Sequence, residues 1–288
     1  MSNQYTMLEE IGKGTYGQVQ KAQLKSEYMG KRIFAVKNIE KNRYQKELRR
    51  FLREIEILKT LDHPNVIKFY EAYENKTNYF IVQEYLDGGD LGKVFEYQQL
   101  SVKESDAKEF MWQIFLSLNY LHQKGIAHRD IKPENFLMLK KGSNIIKLID
   151  FGLSATINSS NETIQETVGS PFYIAPEVLE REYTPLCDVW SAGVIFYNFM
   201  TCQFPFDSDQ NEKLFDLIKA GVYDKTVIEQ SDYSSQAKDL LQKLLLREND
   251  GRLSAKECLL HPWFDEIRAD LHLRGEKIVT KQMLESIR

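Results

Sequence analysis

Between residue 5 and about residue 85 the apolar positions fall in short runs, including 33–36, 66–70 and 79–82, with Glu, Lys and Asn between them. Runs of this length, bounded by polar residues, predict strands. One stretch differs. Residues 49–60 carry Phe51, Leu52, Ile55 and Leu58 at helical spacing, which puts Glu54 on a neighbouring side of the same helix. A small sheet bearing one helix is therefore expected. After Gly88-Gly89 the periodic stretches 104–123, 187–202, 211–220 and 234–246 predict helices, so the rest of the chain should be mostly α. Residues 128–177 interrupt them with short strand-like runs such as 145–149, and with a polar loop, 158–166, expected to be exposed and mobile. There is no internal repeat and no long linker.

Composition narrows the class. The chain has 288 residues, 42% of them hydrophobic, with seven prolines, enough for one large core or two smaller lobes. Its net charge of −4 is spread over mixed acidic and basic residues, which gives no general attraction to nucleic acid or an acidic membrane. Cys187, Cys202 and Cys258 lie at no metal-ligand spacing and are too few to staple a secreted fold, so a reducing, cytoplasmic location is expected, with nuclear access left open. The first eight residues hold no apolar signal core, and Ser2 stands where myristoylation needs glycine. No stretch reaches the roughly 20 apolar residues of a membrane span.

Gly12, Gly14 and Gly17 form G-x-G-x-x-G between two strand-like segments. Such a motif is also satisfied by an ordinary tight turn, so its context decides. Twenty residues after Gly17, Lys37 ends the run Phe34-Ala35-Val36-Lys37. An ammonium in an apolar strand is costly unless an anion meets it. Glu54 on the following helix can supply a carboxylate, leaving the ammonium to hold nucleotide phosphates. The alternative is a strand-end lysine snorkelling to water.

The most specific signal is His128-Arg129-Asp130-Ile131-Lys132-Pro133-Glu134-Asn135, followed by Asp150-Phe151-Gly152 and Ala175-Pro176-Glu177. With these motifs in this order the chain resembles the eukaryotic protein kinases. The resemblance implies an α+β, two-lobed protein-kinase-like fold: a β-rich N lobe over 1–85, a mostly α C lobe over 86–264 and a tail over 265–288. It implies ATP and Mg²⁺ as cofactors. Asp130 would orient the acceptor hydroxyl and take its proton, Lys132 would neutralise the transferred group, and Asn135 and Asp150 would hold the metal. The ATP-binding set implied is Ile11, Gly12, Lys13, Gly14, Thr15, Tyr16, Gly17, Gln18, Val19, Ala35, Lys37, Glu54, Glu84 and Leu86. By the same resemblance Asp188 hydrogen-bonds the catalytic-loop backbone and Arg252 pairs with Glu177. Breaking such a buried pair typically costs about 3–5 kcal/mol.

Lys132, and Ser170 within Gly169-Ser170-Pro171-Phe172-Tyr173, match serine/threonine rather than tyrosine members, although Ser170 could equally be a simple loop hydroxyl. Asp90 and Glu134 match positions that meet arginine on the N-terminal side of the target hydroxyl, implying protein substrates with a basic residue there. Either could instead be surface charge. Gln83 stands at the gatekeeper position, before the hinge residues Glu84-Tyr85-Leu86, where it could hydrogen-bond inside the pocket. In kinases with an arginine before the catalytic aspartate, a loop phosphate often holds the enzyme active. Here Glu166 falls at that position, and we expect it to replace the phosphate in part. Thr163 and Thr167 lie close enough to be modified.

Residues 169–179, Asp188-Val189-Trp190-Ser191-Ala192-Gly193-Val194 and His261-Pro262-Trp263-Phe264 most resemble calmodulin- and calcium-dependent kinases, over about residues 5–264. Residues 276–288 resemble the start of an autoinhibitory junction that precedes calcium-sensor repeats, which implies a sensor region outside this chain. A capping helix fits their amphipathic pattern equally well. The nearest approach to a calcium loop, Asp207-Ser208-Asp209-Gln210-Asn211, has Glu212 in place of the turn glycine and Ile218 in place of the bidentate carboxylate. Asp207 and Asp209 are read as a helix start. A monomer is expected. A scaffold without activity would be indicated by loss of Lys37, Glu54, Asp130, Lys132, Asn135 or Asp150, and all six are present. A small-molecule kinase is opposed by 169–177, which resembles a peptide-binding segment.

Overall fold

The computed structural model describes residues 4–13, 17–25, 32–42, 45–96, 101–157, 159 and 162–274. Gly14, Thr15 and Tyr16 of the glycine motif, part of the 158–166 loop and the 276–288 tail lie outside them. The strands β1 (Tyr5–Lys13), β2 (Gln18–Leu24), β3 (Ile33–Glu40), β4 (Phe69–Glu74) and β5 (Asn78–Glu84) form one antiparallel sheet in the order β1-β2-β3-β5-β4. β3 is central. Its Lys37 pairs with Val19 on one side and Ile81 on the other. One face of the sheet buries Tyr5, Ala22, Phe34, Val36 and Val82 as a small core. Helix α1 (Gln45–Lys59) buries Phe51, Ile55 and Leu58 in the main core.

Two expectations are corrected in this part. α1 starts at Gln45 rather than at residue 49, because its first turn is built from polar helix formers, with Glu47 near the positive end of the dipole. Periodicity marks only the buried part of a helix. Leu52 is 41% exposed, since it lies one residue, about 100°, round from Phe51 and off the buried stripe. The run 66–70 is not all strand of the first sheet. Its start pairs instead with a later strand, β8 (Ile146–Leu148), through Ile67 N–H to the Leu148 carbonyl at 2.9 Å and Leu148 N–H to the Asn65 carbonyl at 2.8 Å.

The larger part is helical. α2 (Leu91–Glu96) and α3 (Glu104–Gln123) lead to the short strands β6 (Ile126–Ala127) and β7 (Phe136–Met138). β7 pairs with β8, and β6 pairs with β9 (Ala155–Thr156). α4 (Pro176–Glu180) and α5 (Leu186–Thr201) follow, then α6 (Asn211–Ala220), α7 (Thr226–Glu229), α8 (Ser235–Leu244), α9 (Ala255–Leu259) and α10 (Asp265–Arg274). α5 is mostly apolar and buries Val189, Trp190, Val194 and Phe196 completely, as a central core helix must. α6 is capped by Gln210 without a side-chain hydrogen bond, so Asp207 and Asp209 precede the helix and do not start it. The β-rich and α-rich parts make a two-lobed α+β fold, and β6 to β9 bring the chemically interesting segments to the boundary between them.

Candidate active site

A cavity of about 850 Å³ lies between the sheet and the helical part. Ile11, Gly12, Val19, Ala35 and Lys37 line it from the sheet, Glu84 and Leu86 from the connection, and Asp130, Asn135 and Asp150 from below. Gln18 pairs with Lys13 at the β1–β2 end of the sheet. These residues are far apart in sequence and meet only because β1 to β5 stack over the 128–150 segment.

Lys37 is the link between the two parts. It is buried, and its Nζ lies 2.8 and 3.0 Å from the Glu54 carboxylate oxygens and 2.7 Å from Asp150 Oδ1. Burial disfavours its charge, but the Asp150 and Glu54 charges and hydrogen bonds outweigh it, so the amine is held protonated above its ordinary value. The snorkelling alternative is thereby removed. The β3 lysine, the α1 glutamate and the aspartate after β8 share one buried ionic cluster.

The catalytic-loop segment is held from behind. Asp188 on α5 is fully buried and accepts hydrogen bonds from the His128 N–H at 2.9 Å and the Arg129 N–H at 2.8 Å, with His122 Nε2 3.0 Å away. Burial works against its charge, yet His122 and the backbone donors keep the carboxyl below its ordinary value. Arg129 (φ +69°) and Asp150 (φ +57°) are both in the left-handed region, a strain of order 1–3 kcal/mol each that the surrounding contacts must hold. Gly169 has φ +118°, and a β-carbon there would lie 2.8 Å from the Arg129 carbonyl oxygen. Glycine is required there.

Around Asp130 the groups converge. Asn135 Nδ2 donates to the Asp130 carbonyl at 2.7 Å and to its Oδ2 at 3.0 Å, and Lys132 Nζ is 3.0 Å from Oδ2. The Ser170 hydroxyl donates to Asp130 Oδ1 at 2.8 Å and accepts from Lys132 Nζ at 2.7 Å. The carboxylate therefore already accepts an aliphatic hydroxyl in hydrogen-bond geometry. Asn135 spends its amide nitrogen on Asp130, which leaves its oxygen as the ligand atom for a hard cation. Among the described residues no group of three or more His, Cys, Asp or Glu could hold a metal. The Asn135 amide oxygen and the Asp150 carboxylate are hard oxygen donors, which fit a hard divalent cation.

The segment after β9 carries a second charge cluster. Glu166 lies 3.2 Å from Arg129 Nη2 and 3.9 Å from Arg50 on α1. The Tyr183 hydroxyl accepts from Arg129 Nη1 at 3.1 Å and donates to the Glu166 carbonyl at 2.6 Å. Burial tends to raise the Glu166 carboxyl, but Arg129, Arg50 and Arg53 hold it below its ordinary value. Thr163 precedes Ile164, which bridges to Tyr183, and Thr167 Oγ1 lies 3.4 Å from the Val178 carbonyl. Arg252 Nη2 is 3.2 Å from Glu177 Oε2, and Nη1 takes the other oxygen, closing the buried pair expected from sequence.

At the mouth of the cavity Asp90 Oδ1 accepts the Lys93 N–H at 2.9 Å, and Oδ2 lies 3.0 Å from Lys93 Nζ. Asp90 is therefore tied to the first turn of α2. Glu134 is exposed beside it. The Gln83 amide nitrogen is buried with no hydrogen-bond partner among the described residues, and Gln83 lines the cavity. Sequence reading missed Arg50, Lys93, His122 and Tyr183. Arg50 was findable, standing four residues before Glu54 on the same side of α1. His122 and Tyr183 carry no local signal, because their partners lie 66 and 54 residues away.

Comparison with known proteins agrees with this geometry. The protein kinase domain family matches residues 5–264. The chain is 40% identical over 272 residues to calcium-dependent protein kinase 3 of Plasmodium yoelii yoelii, covering 93% of this chain and 49% of that protein. It is 36% identical over 285 residues to calcium-dependent protein kinase 5 of Plasmodium falciparum (isolate 3D7), covering 97% and 48%. It is 33% identical over 284 residues to the serine/threonine-protein kinase cds1 of Schizosaccharomyces pombe, covering 94% and 60%. The chain spans about half the length of the calcium-dependent relatives. With the Lys37, Asp130 and Asp150 clusters gathered on one cavity, it belongs to the protein kinase family, as a domain similar to those of calcium-dependent protein kinases.

Proposed function

We propose that this chain is an active serine/threonine protein kinase domain that transfers the γ-phosphate of ATP to protein hydroxyls. The observation that carries the reading is that Lys37, Glu54 and Asp150 form one buried cluster on the same cavity as Asp130, Lys132 and Asn135. Gly12 and Gly17 flank the phosphates, Ile11, Val19 and Ala35 pack on the base, and the Glu84 to Leu86 backbone meets its polar edge. Lys37 holds the α- and β-phosphates, oriented by Glu54. Asn135 and Asp150 hold the divalent cation, for which Mg²⁺ is the natural choice given their hard oxygens. When bound, that cation neutralises phosphate charge. Asp130 accepts the hydrogen bond of the incoming hydroxyl, as it does that of Ser170, and takes its proton. Lys132 lies within reach to stabilise charge on the transferred group.

Glu166 supplies a permanent negative charge to Arg129 and Arg50, which supports activity without a loop phosphate. Asp90 and Glu134 at the cavity mouth favour a basic residue N-terminal to the acceptor. The similarity to calcium-dependent kinases of about twice this length supports control by a calcium-sensing region in the intact protein. Phosphatase-treated protein, given Mg²⁺, labelled ATP and a mixed peptide library, is expected to label serine and threonine, with arginine or lysine selected at the third position before the acceptor. Labelling confined to tyrosine, or none at all after phosphatase treatment, contradicts the reading.

A further inference from the structure

Asp90, one of the two acidic residues at the cavity mouth, already holds a cation, and it is the protein's own. Lys93 Nζ lies 3.0 Å from Asp90 Oδ2, with the lysine 71% exposed and the aspartate only 13%. Asp90 Oδ1 is engaged separately by the Lys93 backbone N–H at 2.9 Å. Glu134 completes the pair across Gly92. A β-carbon built on Gly92 would lie 3.2 Å from Asp90 Oδ1 and 3.5 Å from Glu134 Cγ, so both acidic side chains flank the same bare backbone. Asp90, Lys93 and Glu134 line one cavity with Asp130 and Lys132. The glutamate's charge also reaches Tyr173, whose hydroxyl is raised by burial first and by Glu134 second.

We infer that Lys93 is a specificity-determining residue, an internal competitor that occupies the basic-residue subsite formed by Asp90 and Glu134 and weakens selection for arginine in the substrate. The inference rests on the basophilic reading above. An ammonium is a compact point charge, here 3.0 Å from Asp90 Oδ2, whereas a guanidinium presents a planar fork of donors suited to meeting two carboxylate oxygens at once. A substrate arginine therefore displaces Lys93 rather than joining it. Displacement is easy, because a pair with one partner this exposed is weak. Lys93 tunes the preference and does not block it. The backbone hydrogen bond to Oδ1 does not depend on the lysine side chain, so Asp90 keeps its place when Lys93 is shortened.

The test compares kcat/KM for two peptides that differ only in arginine or alanine at the third position before the acceptor serine. The ratio between them is read in the wild type and in Lys93→Ala, Lys93→Glu and Lys93→Arg, with thermal melting to verify folding. Lys93→Ala is expected to raise the ratio about two- to fivefold, the range that a weak exposed pair allows. Lys93→Glu should raise it further, and Lys93→Arg should stay near the wild type. The Ala effect should shrink as salt is added. A ratio unchanged in Lys93→Ala and Lys93→Glu, in a wild type that favours the arginine peptide and loses that preference in Glu134→Gln, overturns this inference alone. A wild-type ratio near one that neither Asp90→Asn nor Glu134→Gln alters overturns the basophilic reading and this inference with it.

Discussion

At the scale of single residues the site works by placing charges where only a partner makes them tolerable. Lys37 and Asp188 are fully buried ions, and each is satisfied by groups brought from distant parts of the chain. Glu166 is the contrasting case, with a side chain 44% exposed but facing arginines from both lobes. Its carboxyl is held below its ordinary value, so the folded state binds its proton less readily than the unfolded chain does. The stability this contributes is present above about pH 4.5, the ordinary value, and is lost as pH falls through the lowered value. Given its exposure the contribution is under about 1 kcal/mol. The melting-temperature difference between the wild type and Glu166→Gln should be positive and flat from pH 8 to 6, then shrink below about pH 4.5. A difference that grows on acidification contradicts the assignment.

At the scale of elements, α1 shows how far a hydrophobic pattern reaches. The stripe of Phe51, Ile55 and Leu58 was legible because a buried helix face repeats at 3.6 residues, but Leu52 at its edge was read as part of it and is exposed. Phe51→Ala should therefore destabilise the domain by about 3–5 kcal/mol and Leu52→Ala by less than about 0.5 kcal/mol, in denaturant titrations. Equal losses would mean that α1 packs differently. Asp130, Lys132 and Asn135 are near neighbours in sequence, so their mutual contacts are local ones that their spacing allows. The family resemblance also named Asp90, but nothing in Gly88-Gly89-Asp90 signals that its carboxylate is met by Lys93 twice, through backbone and side chain. That contact depends on α2 starting at Leu91, a boundary that short helices do not announce. The pairing of 65–67 with β8 was hidden for a related reason, because an isolated parallel bridge leaves no alternation in the sequence.

At the scale of the whole molecule the two lobes share one hydrophobic core, into which α1 packs, and charged contacts around the cavity add to it. Lys37 reaches from the sheet to Asp150, and Arg50 from α1 to Glu166. Glu84 at the connection accepts from Lys147 on β8 at 2.7 Å. Each contact ties the sheet side of the cavity or its helix α1 to the helical part that carries Asp130. On the function proposed above, this assembled cavity transfers phosphate through Asp130. The most direct test is transfer of labelled phosphate from Mg²⁺–ATP to an arginine-containing serine peptide, comparing the wild type with Asp130→Asn. Loss of the positioned base should reduce turnover by about 10²–10⁴-fold, with the variant still folded. Equal rates for the two proteins, both near background, would contradict the account.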